Sequence, residues 1–281
     1  MLFFFFRLLL APLAVLAGTL AQRRFGHAIS GLIVGLPLTS LPLLWLVALQ
    51  HGTAFASSMT GALLVGSIAE AVVLWLYARL TMHVSPMLAL GGTLAAFAFV
   101  AGAVNYLKLS AILAALITAA GFALALWLWP SNAGDTTSPS GRSRLWLRLV
   151  LSAVFTLVIV SLAGRLGPVV SGLVDALPAM SLMMAFMTHQ DHGAHASSTF
   201  LRGVTRGSYS YLVAMLVLAE TLRSGNLLLA FALAMGAALV VQAGVQAFDS
   251  LSVASRGATL HENEEGVESS VSRGVPEAVC S

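Results

Sequence analysis

The chain has 281 residues, of which 58% are hydrophobic and only 9% are charged, and its mean hydropathy is +0.92. A soluble domain carries about 25% charged residues, so this composition excludes a soluble globular protein and predicts one whose solvent is lipid. The net charge of +3 comes from dispersed basic residues, which excludes a nucleic-acid binder. The single Cys280 excludes a disulfide framework and a thiolate metal cluster.

Nine apolar stretches follow one another along the chain. Because a membrane crossing needs about 20 apolar residues, we expect an all-α, polytopic integral membrane protein with about nine transmembrane helices. The first stretch lacks the basic start of a secretory signal peptide, so we expect it to be retained as a helix. The stretches are 2–20, 31–49, 58–80, 86–104, 109–129, 145–163, 169–188, 204–222 and 227–248.

The distribution of arginine and lysine predicts how these helices are oriented. If the N-terminus lies outside, the outward ends contain four basic residues, Arg7, Lys108, Arg165 and Arg223, and the inward connections contain more. The positive-inside rule therefore favours an outward N-terminus. The inward basic residues are Arg23, Arg24, Arg79, Arg142, Arg144, Arg202 and Arg206.

The second half of the sequence matches the first without a gap when Gly172 is aligned with Gly31. Glycine, proline, serine and histidine recur in this register over a long segment, which chance similarity between apolar segments does not produce. The pattern therefore predicts an internal repeat, and we call residues that are matched in this register equivalent. Equivalent pairs include Gly31 with Gly172, Pro37 with Pro178, Ser40 with Ser181, His51 with His192 and Gly52 with Gly193.

The repeat predicts the domain organisation. We expect a first four-helix repeat over residues 1–104, a joining helix over 105–129 and a polar cytoplasmic linker over 130–144. A second four-helix repeat over 145–248 and a disordered cytoplasmic tail over 249–281 follow. The joining helix makes the number of crossings between equivalent helices odd, so the second repeat is inverted, as in many secondary transporters.

A short element in each half resembles a known family. Gly31–Pro37, followed fifteen residues after the proline by Gly52, resembles the entry to helix 2 and the start of helix 3 in the small four-helix membrane proteins of the GlpM family. Gly172–Pro178 and Gly193 repeat the pattern. The resemblance covers most of each half and implies an inner-membrane protein, but no substrate or catalytic residue. The chain departs from the family in its length, its joining helix and its long tail.

The prolines of the repeated element predict two broken helices. Pro37 and Pro178 each remove a helical hydrogen bond, and we expect the carbonyl groups of Ile33 and Val174 to lose their helical partners. If the two broken helices cross antiparallel near the middle of the membrane, they could line a substrate or ion site. The alternative is that proline and glycine only bend and pack these helices. The repeated element supplies the hydroxyl groups of Ser30, Ser40, Ser171 and Ser181.

Two acidic residues lie inside predicted helices. Asp175 precedes Pro178, and Glu70 lies in the third helix; their counterparts in the other half are Val34 and Tyr211. A carboxyl group at such a depth is costly and normally faces the bundle interior or water. We interpret both as candidate coupling groups that bind and release a proton. The alternatives are a structural pairing with an arginine or a position at a helix end.

Histidines cluster between His189 and His195. Their spacing matches no zinc-enzyme motif, so we expect a polar inward turn and no metal site. His51 and His192 are equivalent in the two halves and would lie at opposite membrane faces. We consider this pair a candidate gate or proton relay.

These features predict a secondary transporter, coupled to protons or another ion, that moves a small neutral or weakly anionic solute across the bacterial inner membrane as a multi-pass protein. No P-loop, serine-hydrolase or zinc-protease motif occurs, so we expect neither an enzyme nor a cofactor. Two alternatives stay open: an integral-membrane enzyme of lipid or cell-envelope polysaccharide assembly, using residues 189–206, or an accessory subunit of such a complex. The expected partners are the lipid bilayer and the solute, and a homo-oligomer is compatible with this architecture.

Overall fold

The computed structural model describes residues 2–37, 40–129, 154 and 167–247, and within these ranges it contains helices and no strand. The all-helical prediction is therefore confirmed. The predicted helix 145–163 (apart from residue 154), the linker 130–144 and the tail 249–281 lie outside the described residues. The helices are α1 (Leu2–Val34), α2 (Ser40–His51), α3 (Thr53–Leu80), α4 (Pro86–Tyr106), α5 (Ala111–Trp127), α6 (Gly167–Asp175), α7 (Ala179–Thr221) and α8 (Leu227–Ala247).

Four of the described helical segments are long and apolar enough to cross a membrane. They are Thr53–Leu80, Pro86–Tyr106, Val169–Thr221 and Leu227–Ala247, while Ser40–His51 and Ala111–Trp127 are shorter apolar helices. This composition is compatible with a membrane protein. The number of nine crossings stays a prediction.

Three glycines interrupt the helices with backbone angles that other residues rarely adopt. Gly26 interrupts α1 at φ 84° and ψ 179°, and Gly193 interrupts α7 at φ 87° and ψ 177°. Gly52, between α2 and α3, has φ 85° and ψ 165°. Because Gly52 and Gly193 are equivalent in the repeat, the same backbone turn precedes α3 and the second part of α7, residues 194–221.

Both predicted helix breaks are present. The helix ends at Val34 before Pro37 and resumes at Ser40, and it ends at Asp175 before Pro178 and resumes at Ala179. At about 1.5 Å per residue, segment 27–34 is about 12 Å long and α2 about 18 Å, so neither alone spans the roughly 30 Å of a bilayer core.

The backbone hydrogen bonds of the two breaks correct one prediction. The amide groups of Leu36 and Leu177 donate to the carbonyl groups of Ile33 and Val174, each at 3.2 Å. These carbonyl groups are therefore paired, because the chain tightens into a turn as it leaves the helix. After the break, the Pro37 and Pro178 carbonyl groups accept from Leu41 and Leu182 at 3.2 and 2.8 Å.

The centre of the bundle is formed by α3 and the second part of α7. The described residues as far as Gln242 form one compact unit, and residues 243–281 form a second, of which the structure describes 243–247. In the first unit, α3 contacts α2, α4, α5, α6 and α7. The peripheral helices α4, α5 and α8 expose many large apolar side chains, as a lipid-facing surface requires. Examples are Leu88, Phe99, Leu116, Leu124, Leu228 and Val240.

Glycines bring backbones into close contact between the halves. A Cβ atom on Gly31 would overlap the backbone of Phe200 and Val204 in α7, and one on Gly172 would overlap the backbone of Met59 in α3. Gly31 is equivalent to Gly172, and Met59 is equivalent to Phe200. These contacts join each broken helix to the long helix of the other half, whereas the sequence led us to expect the broken helices to pack on each other.

Candidate functional site

Glu70 lies in the middle of α3 and is only 8% exposed. Its Oε1 atom accepts a hydrogen bond from the Ser208 hydroxyl of α7 at 3.1 Å. In the described part of the chain, no lysine, arginine or histidine forms an ion pair with it. An acidic side chain buried between two apolar helices, with one serine as its hydrogen-bonding partner, is costly in a membrane protein and usually has a function.

Tyr211 lies one helical turn from Ser208 and faces the same group of side chains. Its phenol interacts with the hydroxyl groups of Ser40 and Ser67, and electrostatically with Glu70 and Asp175. The structure therefore brings together three residues selected from the sequence, Glu70, Asp175 and Ser40. We name the group Ser40, Ser67, Glu70, Asp175, Ser208 and Tyr211 the central cluster.

The central cluster lies where α3 and α7 cross in opposite directions. Two hydrogen bonds show that the helices are antiparallel. Ser57 of α3 donates to the Ala219 carbonyl of α7 at 3.3 Å, whereas Glu70, later in α3, accepts from Ser208, which is earlier in α7. Glu70 is equivalent to Tyr211 in the repeat, and Ser67 is equivalent to Ser208. The same contact thus occurs twice, once between a carboxyl group and a serine and once between a phenol and a serine.

The helix breaks lie beside this crossing. Gly66 of α3 is close to Ala176, just past the end of α6, and Gly207 of α7 is close to Gly35, just past the end of α1. A Cβ atom on Gly66 would overlap the Ala176 Cβ atom, and one on Gly207 would overlap the Leu32 carbonyl oxygen and lie 3.0 Å from the Gly35 Cα atom. Gly66 and Gly207 are again an equivalent pair, and they place both breaks close to Glu70 and Tyr211.

The other candidate site residues of the repeated element surround these breaks. Pro37 and Pro178 lie within the breaks themselves. Ser30, Ser171 and Ser181 are buried, at 0%, 7% and 7% exposure. Asp175 is the last residue of α6 and is half-buried, so it lies at a helix end, which was one of the alternatives for this residue.

The paired histidines lie away from the central cluster. His51 is exposed and stacks on Phe55 with ring centroids 4.8 Å apart, while the His192 ring meets the edge of His27 at 5.0 Å. In the described ranges, no three histidine, cysteine, aspartate or glutamate side chains gather as a metal site would require.

A cavity of about 730 Å³ opens at the start of α3. Its lining residues include Thr53, Lys108 and Arg223, which belong to three different connections between helices. The predicted topology has all three connections on the outer side of the membrane. Sequence reasoning missed this cavity. The three connections are far apart in sequence, and only their shared predicted side of the membrane could have indicated that they meet.

At the opposite end of the α3–α7 pair, the Trp129 side chain occupies the position that corresponds to the cavity. Ser57 lines the cavity, and its counterpart Ser198 accepts a hydrogen bond from the Trp129 indole at 3.1 Å. Trp129 is only 7% exposed, and the Leu128 carbonyl before it accepts from Arg79 at 2.9 Å. The cavity end and the Trp129 end thus differ at equivalent positions.

No protein-family model, no curated protein and no solved structure matches this chain. The resemblance to the GlpM family stays a prediction.

Proposed function

We propose that this chain is a multi-pass transporter of the bacterial inner membrane that couples movement of a small solute to an ion, with protons as the first candidate. One observation carries the proposal. The crossing of α3 and α7 places the buried Glu70–Ser208 contact and the Tyr211–Ser67 contact beside two helix breaks.

The helix breaks are a reason to favour transport over a purely structural role. Discontinuous helices meeting at the interface of two repeats form the substrate and ion sites of many secondary transporters. Irregular backbone in a membrane is tolerated where it is buried in protein or lines a cavity. Here both breaks lie next to the central cluster, which supplies hydroxyl, phenol and carboxyl groups for a polar solute.

An inverted repeat is part of this proposal. It is supported by contacts that recur at equivalent positions, between Gly31 and Phe200 and between Gly172 and Met59. The antiparallel crossing of the equivalent long helices also supports it, because two repeats of the same orientation would place these helices parallel. Inverted repeats allow a protein to exchange an outward-open shape for an inward-open one.

The difference between the two ends supports alternating access. The start of α3 opens into the cavity, while Trp129 occupies the equivalent position at the other end. In the proposed cycle, Trp129 leaves Ser198 as the cavity at Ser57 closes. The solute would then reach the central cluster from one side at a time.

Glu70 is the coupling group that we propose, with Asp175 as a second acid near the same site. A coupling carboxyl group must change its protonation state within one cycle. Among the residues that the structure describes, Glu70 has one hydrogen-bonding partner, the Ser208 hydroxyl, and no cationic one. Glutamine retains the shape of the side chain and can accept the Ser208 bond, but it cannot titrate. Glu70→Gln should therefore fold normally and lose only the coupling to protons.

The test uses purified protein in proteoliposomes that contain a pH-sensitive dye. A panel of small sugars, amino acids, carboxylates and phosphate is added under an imposed pH gradient. We expect one solute class to drive proton movement in the wild type and none in Glu70→Gln. Asp191→Asn is the matched control, because Asp191 is exposed and away from the central cluster and the cavity, and its replacement removes the same charge.

Two results would contradict the proposal. One is solute-driven proton movement of wild-type size in Glu70→Gln, which would make Glu70 structural. The other is the absence of any solute-dependent flux, with or without a gradient, in correctly inserted wild-type protein.

A further inference from the structure

The cavity at the start of α3 has an unusual charge composition. Two of its fifteen lining residues, Lys108 and Arg223, are cationic, and none is acidic. Five more lining side chains carry hydroxyl or amide groups. These are Thr53, Ser57, Ser58, Asn105 and Ser110.

The two cationic groups are available to a ligand. Lys108 is exposed, with a left-handed backbone at φ 45°, and among the described residues it forms no ion pair or hydrogen bond. Arg223 pairs with Glu220 at 3.7 Å, but their side chains are 69% and 44% exposed. A solvated pair of this kind contributes little, so an anion in the cavity could replace it.

Two helices begin at the same cavity. The 28-residue α3 begins at Thr53 without a side-chain cap, and the 17-residue α5 begins at Ala111 after its cap Ser110. The first amide groups of a helix lack helical partners, and its dipole is positive at this end. These amide groups are hydrogen-bond donors at the cavity. Because α4 ends at Tyr106 and α7 at Thr221 beside the same cavity, their negative dipole ends offset the positive ones, and the positive potential comes from the two cationic side chains.

The cavity leads along α3 towards the central cluster. Thr53, Ser57, Gly61 and Val65 line it at intervals of four residues, so they lie on one face of the helix. At about 1.5 Å per residue, this face runs about 18 Å into the protein and ends five residues before Glu70. The volume of about 730 Å³ lies within the range of small-molecule sites.

We propose that this cavity binds a small anionic solute, a carboxylate or phosphate compound, before the solute moves to the central cluster. Lys108 and Arg223 contact the anion, and the hydroxyl groups and helix ends orient it. This inference rests on the transport function proposed above, because it names the chemical class of the solute. It also narrows the expectation of a neutral or weakly anionic solute to an anion.

The test measures binding separately from transport. Acetate, succinate, citrate and inorganic phosphate are titrated into delipidated protein in neutral detergent at constant ionic strength, and binding is followed by calorimetry. Mannitol and choline serve as neutral and cationic controls. We expect at least one anion to bind, and Lys108→Ala to weaken it by about tenfold or more, as loss of a charged hydrogen bond does.

Two control variants make the result specific. Arg24→Ala removes an exposed cation that does not line the cavity, so anion affinity should not change. His83→Ala changes a second exposed polar side chain that does not line the cavity, so it should also bind the anion with wild-type affinity. If Arg223→Ala does not fold, Lys108→Ala still decides the result, because Lys108 is exposed and forms no ion pair or hydrogen bond with the described residues.

Several outcomes would overturn the inference. They are binding of none of the four anions, equal binding in Lys108→Ala, or binding of phosphatidylglycerol in micelles while the four anions fail, which would make the occupant a lipid headgroup. Transport of a neutral solute without anion binding would overturn this inference and leave the transport function standing. Anion binding without any transport would overturn the transport function and leave the cavity as an anion-binding site.

Discussion

Replacing Gly31 by alanine tests the close contact between the broken first helix and α7. A Cβ atom on Gly31 would overlap the Phe200 carbonyl and lie 2.8 Å from the Val204 nitrogen and 3.0 Å from the Gly203 Cα. An ordinary contact of this kind is 3.4 Å or longer, so the two helices must move apart to accept the methyl group. Overpacking of this degree costs about 1–3 kcal/mol.

The matched control is Gly102→Ala in α4, where a Cβ atom would meet nothing within 4 Å. Both variants exchange a helical glycine for alanine and gain the same helix propensity, up to about 1 kcal/mol. The difference between them therefore isolates the overlap, and we expect Gly31→Ala to be less stable than Gly102→Ala by about 1–3 kcal/mol.

The assay is reversible unfolding in mixed micelles, followed by tryptophan fluorescence as the fraction of denaturing detergent rises. Gly172→Ala should show a similar loss, because its Cβ atom would overlap the Met59 carbonyl and lie 2.8 Å from the Ala62 Cβ. Equal free energies of unfolding for Gly31→Ala and Gly102→Ala would refute the close packing of α1 on α7.

Two further predictions concern the ends of the bundle, both in a Cys280→Ser background. Trp129→Phe removes the indole hydrogen bond to Ser198, which is worth about 1 kcal/mol. This end of the bundle should then open more often, and a cysteine introduced at Ala194 should react about fivefold faster with a maleimide. Trp127→Phe, at an 80% exposed position, is the control and should leave the rate unchanged. An unchanged rate in Trp129→Phe would mean that this bond does not hold the end closed. The last prediction tests the outward N-terminus. In intact cells an impermeant maleimide should label Tyr106→Cys and not His83→Cys, since α4 separates these two exposed positions. Labelling of His83→Cys alone would mean that the N-terminus lies inside.

The helices and their breaks could be predicted from sequence because they depend on local properties. Long apolar runs need paired backbone groups in lipid, so α4, α5 and α8 closely follow the apolar stretches. Pro37 and Pro178 cannot continue a helix, and both breaks lie where they were expected. The turns at Gly26 and Gly193 were harder to predict, because the helix continues on both sides of each glycine.

The site could be predicted only in part. Glu70 and Asp175 were selected because an acid in an apolar segment is conspicuous, but Tyr211 and Ser208 look like ordinary members of a transmembrane helix. Their role depends on the crossing of α3 and α7, which no local pattern contains. The predicted repeat did contain this information, since its register aligns Tyr211 with Glu70 and Ser208 with Ser67.

The two halves differ at the positions where a second copy would be harmful. Gly31, Gly66, Ser67 and their counterparts are retained because close backbone contacts and hydroxyl groups are needed on both sides of the crossing. A glutamate at position 211 would add a third carboxyl group to the central cluster beside Glu70 and Asp175, and like charges in such a site repel each other strongly. A tyrosine at that position keeps a hydrogen-bonding group without a second charge. In the proposed transport cycle, the packing of the two halves stays symmetric while only one of the two equivalent positions, Glu70 and not Tyr211, carries a carboxyl group.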